Sequence, residues 1–151
     1  MHQPGRLPLA GDRWTPLTRT IRFLRLDFTG ATFKMQVRDR KDGGALRADL
    51  GTVVSSSAEG VRLIYGGTAT VSAHITAGRL DDVPTGMSGA DSLALSLVGI
   101  RINESTMEAM TPATEIGDDA TAYWDLHITP SGGLKDLYLY GPFTIRAGAT
   151  E

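Results

Sequence analysis

Few side chains in this sequence have the types and spacing that chemistry requires. The three histidines are His2, His74 and His127, and Asp125 stands two residues before His127. In a β-strand residues i and i+2 share a face, so Asp125 and His127 can point the same way. A zinc or iron site there needs a further ligand, and His74 supplies it only if its strand neighbours that of His127. Two polar residues on a wet strand face explain the pair more simply. Ser55-Ser56-Ser57 lacks the Gly-x-Ser-x-Gly turn that presents a nucleophile. Asp81-Asp82 and Asp118-Asp119 lack the spacing of a calcium loop, and solvated acidic loops account for both. Gly86-Met87-Ser88-Gly89 does not lead into a helix with Lys-Ser/Thr, so it is no phosphate loop. Tyr123, Tyr138 and Tyr140 fall within one stretch and could form a carbohydrate platform, although core or interface packing is the commoner use of such residues. The expectation is a non-enzymatic protein that needs no metal and no cofactor.

The elements that would position these residues are strands. Tyr123 to Thr129 alternates Trp124, Leu126 and Ile128 with Tyr123, Asp125 and His127, turns at Pro130-Ser131-Gly132-Gly133, and continues from Leu134 to Ile145. That is a β-hairpin with one face inward. Phe33, Met35 and Val37 alternate in the same way with Lys34, Gln36 and Arg38, which gives a second strand with a wet or interfacial outer face. Residues 19 to 26 predict a strand with Ile21 and Phe23 inward, and Asp27-Phe28-Thr29-Gly30 and Lys41-Asp42-Gly43-Gly44 predict turns. Further strands are expected at 45 to 50, at Val61 to Tyr65 and Ala69 to Ile75 around a Gly66-Gly67 turn, and at Leu93 to Ile102. In the last of these the apolar set changes phase, which a bulge at Gly99 would explain. Residues 77 to 91 predict a long loop and 111 to 120 an acidic one. Residues 103 to 110 predict a short helix capped by Asn103 or Ser105 and ended by Pro112.

A chain of 151 residues that is 41% apolar fits one domain with one core. Absence of cysteine excludes disulfides and thiolate metal sites. No apolar run approaches the ~20 residues of a membrane helix, and Met1 to Arg6 shows no apolar stretch of a signal peptide. The net charge of −2 conceals an asymmetry: +5 over residues 1 to 50 and −7 over the rest. Such a chain can attract copies of itself or a charged neighbour, unless strands from the two halves interleave. Arg19, Arg22 and Arg25 form a basic patch without the stacked aromatics of single-strand binders, so no nucleic-acid role is expected. Residues 1 to 18 hold Pro4, Pro8 and Pro16 and little periodicity. They predict an extended arm whose Leu7, Leu9, Trp14 and Leu17 dock on the sandwich itself or, beside Arg19, Arg22 and Arg25, on a partner; in the partner case its removal leaves the domain folded.

Four segments in order carry a family resemblance. Gly11-Asp12-Arg13-Trp14 resembles a Gly-Asp-Thr-Trp/Phe opening, and Asp27-Phe28-Thr29-Gly30-Ala31 with the strand to Arg38 resembles an Asp-Leu-Thr-Gly-Ala turn. Tyr123-Trp124-Asp125-Leu126 resembles a late Tyr-x-Tyr-Asp-Leu strand, and Gly141-Pro142-Phe143-Thr144-Ile145 a closing Gly-x-Phe-x-Ile/Val. Together they resemble small virion proteins of tailed phages and prophages, of the tail, baseplate or fibre-attachment type. The resemblance implies an all-β fold, an antiparallel Ig-like β-sandwich, which the pattern of strands places over 19–148, to which the residues themselves add one short helix near 103–110 and the extended N-terminal arm 1–18. It implies a structural component of the virion, made in the host cytoplasm, that docks to tail, baseplate or fibre proteins in a homo- or hetero-oligomeric assembly and has no membrane partner. Capsid decoration or a carbohydrate-binding sandwich is the alternative. The stretch 77 to 120 is longer than that pattern and has no assigned role. No catalytic residue is carried over.

Overall fold

The computed structural model describes residues 4–40, 43–110 and 118–146. Its elements are β1 (Gly5–Arg6), β2 (Leu9–Asp12), β3 (Leu17–Leu24), β4 (Thr32–Arg38), β5 (Leu46–Leu50), β6 (Gly60–Thr70), α1 (Val71–Thr76), β7 (Ser92–Ile102), α2 (Glu104–Ala109), β8 (Ala120–Thr129) and β9 (Asp136–Arg146). One sheet runs β9-β8-β4-β5, with β1 and β2 in succession along the outer edge of β9; the other runs β3-β7-β6. Among the described residues β1 and β2 pair with β9 in parallel, Thr52 and Val61 form an isolated parallel bridge, and the remaining strand pairs are antiparallel. This is the immunoglobulin arrangement, with β3, β7 and β6 in the places of strands B, E and D, and β9, β8, β4 and β5 in those of G, F, C and C′. Among the described residues no helix is long and apolar enough to cross a membrane.

Alternation along β4 and β8 builds the core. Phe33, Met35 and Val37 are buried beside Trp124, Leu126 and Ile128, while Lys34, Gln36, Arg38, Asp125 and His127 lie on the other face. The opposing sheet contributes Ile21, Phe23, Val61, Val98, Ile100 and Ile102. Phe28 arrives from the β3–β4 turn, where Asp27 Oδ1 accepts bonds from the Thr29 amide and hydroxyl and Gly30 takes φ 78°. Phe28 meets Phe23, Phe33 and Tyr138 edge-on, at ring separations of 5.2, 6.4 and 5.2 Å. Such edge contacts add to the area the rings bury. The helix expected near 103–110 forms as α2 with Asn103 at its N-cap, and it buries Met107 in this core.

Three sequence expectations need correction. The first is the free arm. Residues 4–12 are extended and Arg13 to Thr15 turn the chain into β3, but the segment is not free: Gly5 and Arg6 pair with Leu139 and Tyr140, and Leu9 to Asp12 pair with Phe143 to Arg146. Between them the Leu7 amide donates to the Tyr140 carbonyl at 2.8 Å. Leu9 and Leu17 are buried in the common core, so the sandwich incorporates the segment and the boundary at 18/19 divides nothing. The prolines hid the strand character: Pro8 has no N–H to give the ladder and separates β1 from β2, a break that an edge strand tolerates.

The second is the turn at Gly66-Gly67. Strand β6 passes straight through it, and neither glycine has a positive φ. They are small because neighbours are close: a methyl at Gly66 would lie 3.1 Å from Thr29 Oγ1, and one at Gly67 2.9 Å from the Tyr65 hydroxyl. The chain then enters α1 instead of a strand to Ile75, and the N-cap Thr70 accepts a hydrogen bond from the Ala73 amide at 3.1 Å.

The third is the bulge at Gly99. Strand β7 keeps strict alternation, and both of its faces are covered. Ser96, Val98, Ile100 and Ile102 face the sandwich interior, whereas Leu93 and Leu95 pack in a second cluster with Val71 and Leu80. Helix α1 and the 77–91 loop therefore roof the outer side of the three-stranded sheet, which gives that loop a role in folding. The irregularity lies on β6, between Leu63 and Tyr65, and its extra residue Ile64 stands against Gly99. Lys41, Asp42 and most of the acidic loop at 111 to 120 lie outside the described residues.

Candidate functional site

The outer face of the larger sheet carries an assembly of polar and aromatic side chains that forms a cleft of about 270 Å³. Strand registers dictate its layout. Arg6 pairs with Tyr140, Tyr140 with Asp125, and Asp125 with Gln36, a single row across β1, β9, β8 and β4. The next row holds Pro142, Tyr123 and Arg38. Arg40, just past β4, adds a third guanidinium to the lining. Arginine thus stands on both sides of two tyrosines, with a carboxylate between.

Arg38 is held in place without being neutralised. Arg38 donates to the Gly44 carbonyl at 3.3 Å and to Gln36 Oε1 at 3.0 Å, both uncharged acceptors. Among the described residues Arg6, Arg38 and Arg40 form no ion pair. The β4–β5 connection that carries Arg40 is clamped by Asp39, which accepts from Arg47 at 2.9 Å and from the Ala45 amide at 2.8 Å. The Arg47 bond, chiefly, holds the Asp39 carboxyl below its ordinary value, and the charge of nearby Arg40 adds a smaller part. Asp125 Oδ1 is shielded from solvent yet has no hydrogen-bond partner. His127 Nδ1 lies 3.5 Å from it, an ion pair only when the imidazole is protonated. An acceptor left unpaired in this way costs free energy until a donor reaches it.

The other residues singled out from sequence go elsewhere. His74 is buried in α1 with both ring nitrogens engaged: Nε2 donates to the Leu93 carbonyl at 2.8 Å, and Nδ1 accepts from Arg79 Nε at 3.1 Å. Arg79 in turn lies 3.9 Å over the Tyr65 ring. The structure therefore does not bring His74 to Asp125 and His127, and no three of His, Cys, Asp and Glu are grouped to hold a metal among the described residues. Tyr138 leaves the expected aromatic platform for the Phe23 and Phe28 rings, and burial, with a smaller push from Asp136, raises its phenol above 10.0. Tyr123 and Tyr140 remain together at the cleft.

Of the expected partner-binding residues, Leu9 and Leu17 are in the core, which removes them from the surface, and Leu7 packs half-buried against it. Trp14 is 38% exposed and lies under Arg13, 4.9 Å from its ring. Arg19, Arg22 and Arg25 are exposed on or just after β3; Arg22 approaches Asp81 at 3.9 Å, and Arg25 takes φ 67°, a region L residues seldom occupy. The cleft residues Arg6, Arg38, Arg40 and Tyr140 were not grouped by sequence reasoning. Alternation marked Arg38 as outward-facing, but nothing local signals that Arg6 returns to lie beside Tyr140.

Fold and surface define an immunoglobulin-like sandwich with an arginine-tyrosine cleft on the outer face of its larger sheet. No family model matches the chain, and no curated protein matches it. Among solved structures, a family 123 glycoside hydrolase from Clostridium perfringens, described for its hydrolysis of glycolipid glycans, aligns with 93% of this chain at 10% identity and a TM-score of 0.40. The chain covers 22% of that protein's chain, and the likeness carries no argument about this one.

Proposed function

We propose that this chain is a non-enzymatic structural domain of a tailed-phage particle, docking to tail, baseplate or fibre neighbours through the outer face of its larger sheet. One observation supports the reading. The four segments that carry the resemblance form or border neighbouring strands of one sheet. Gly11 and Asp12 lie in β2, Tyr123 to Thr129 in β8, Gly141 to Ile145 in β9, and Thr32 to Arg38 in β4, in the spatial order β2-β9-β8-β4. The resembling residues thus form a unit rather than scattered matches. The mechanism is interface burial, and stable interfaces bury roughly 1,200–2,000 Å² in total.

The test is to purify particles from a host carrying the gene and search them for the chain by mass spectrometry. A small, fixed copy number relative to the major tail protein is expected. Absence from intact particles would overturn the proposal, and copies in proportion to the major capsid protein would replace a tail role with decoration.

A further inference from the structure

We propose that the arginine-tyrosine cleft receives an acidic peptide segment of a neighbouring protein chain, with a Glu or Asp carboxylate between Arg6 and the Arg38/Arg40 pair. The inference rests on the docking role proposed above and names the chemistry of the docked partner. Charge comes first. Three guanidinium groups and one carboxylate, Asp125, line the cleft, and none of the three arginines forms an ion pair among the described residues. Guanidinium forks bind carboxylates bidentately, and such charge-assisted bonds are roughly twice as strong as neutral ones. The second argument is composition. Tyrosine and arginine are the residues that, with tryptophan, dominate the energetic centres of protein interfaces, and here they surround a concavity on an otherwise polar sheet face.

The experiment uses the full chain and a capped tetraglutamate peptide, followed by amide chemical shifts at low salt. Saturable shifts are expected at Tyr123, Asp125 and Tyr140. A variant carrying both Arg6→Gln and Arg40→Gln should bind at least about tenfold more weakly, since two charge-assisted contacts are lost. Both residues are exposed, so the remaining spectrum should keep its wild-type pattern. Raising salt from about 50 to 300 mM should weaken wild-type binding, because exposed charges are screened over that range. Capped tetraglutamine, inorganic phosphate and glucuronate are the comparison ligands, and each should bind more weakly. Four results would overturn the proposal: equal binding of tetraglutamine, equal binding of phosphate, salt-independent affinity, or an unaffected double variant. Preference for glucuronate would also sink it, by making the cleft a saccharide site. The two proposals fail separately. Peptide binding by a chain absent from particles removes the virion reading alone, whereas a chain present in particles that ignores the peptide removes the cleft assignment alone.

Discussion

At the Leu7 carbonyl, two residues of the C-terminal hairpin meet the N-terminal strand. Trp124 Nε1 donates to that oxygen at 2.9 Å, and Gly141 lies so close beneath it that a Cβ would collide with the Leu7 backbone. Trp124→Ala should cost about 3–5 kcal/mol, as for other large buried aromatics. Trp124→Phe keeps most of the ring and isolates the hydrogen bond; an unsatisfied Leu7 oxygen should cost about 1–3 kcal/mol. Gly141→Ala should cost about 1–3 kcal/mol by overpacking. Urea unfolding measures all three, and an unchanged midpoint for Trp124→Ala contradicts the burial of its ring. Asp27 gives a pH prediction. The Thr29 hydroxyl, then the Thr29 amide, holds its carboxyl below 3.8. A depressed carboxyl pKa stabilises the fold fully above the unfolded value, and that part is lost as pH falls from about 3.8 through the lower folded value. Asp27→Asn should therefore be less stable than wild type at neutral pH, with the two stability curves converging below pH 4 or so, where the wild-type carboxyl protonates. Parallel curves down to the acid limit would count against the Thr29 bonds as the cause.

Among the elements, α1 and the loop after it do what sequence periodicity did not announce. Together they cover Leu93 and Leu95, so β7 is apolar on both sides, and no period-2 pattern can separate a doubly covered strand from one that changes phase. The switch from β6 to α1 was obscured by Val71, Thr76 and Ile75, whose branched side chains suit strands, although Thr70 offered a helix-start signal three residues before Ala73. By contrast β3, β4 and β8 were legible, because each has one buried face and one wet face and their burial repeats at 2 residues, and α2 was legible from its capping residue. Thr70→Ala should cost about 1 kcal/mol through the lost cap, and Thr70→Ser should recover most of it. Hydrogen exchange offers a sharper reading: the Ala73 amide should lose protection in Thr70→Ala while amides of β8 keep theirs. Equal loss throughout would mean that α1 is not a separately opening unit.

For the molecule as a whole, the decisive feature is that the chain's first strands close the sheet against its last. The partners are more than 130 residues apart, and their pairing is parallel, so neither turn chemistry nor local pattern could reveal it. The two halves of the chain also meet by charge inside one sheet, as in Asp12 with Arg146 at 2.8 Å. That exposed pair is worth under about 1 kcal/mol, so it cannot be what holds the segment. Burial of Leu9, the β2–β9 ladder and the Trp124 bond can. Deleting residues 1–12 strips these from the fold together and bares the β9 edge, a template for association. The truncated chain should lose at least about 3 kcal/mol, from the buried leucine and one unsatisfied indole donor alone, and show a lower thermal midpoint and a tendency to aggregate. Asp12→Asn should do neither. Circular dichroism melts of the three proteins decide the matter: an undiminished midpoint after truncation would make the segment an appendage after all. Arg6 rides on β1, so truncation should also abolish tetraglutamate binding, whereas Arg6→Gln should weaken that binding with the midpoint unmoved. The pair of variants separates the strand's two contributions, closing the sheet and furnishing one wall of the cleft.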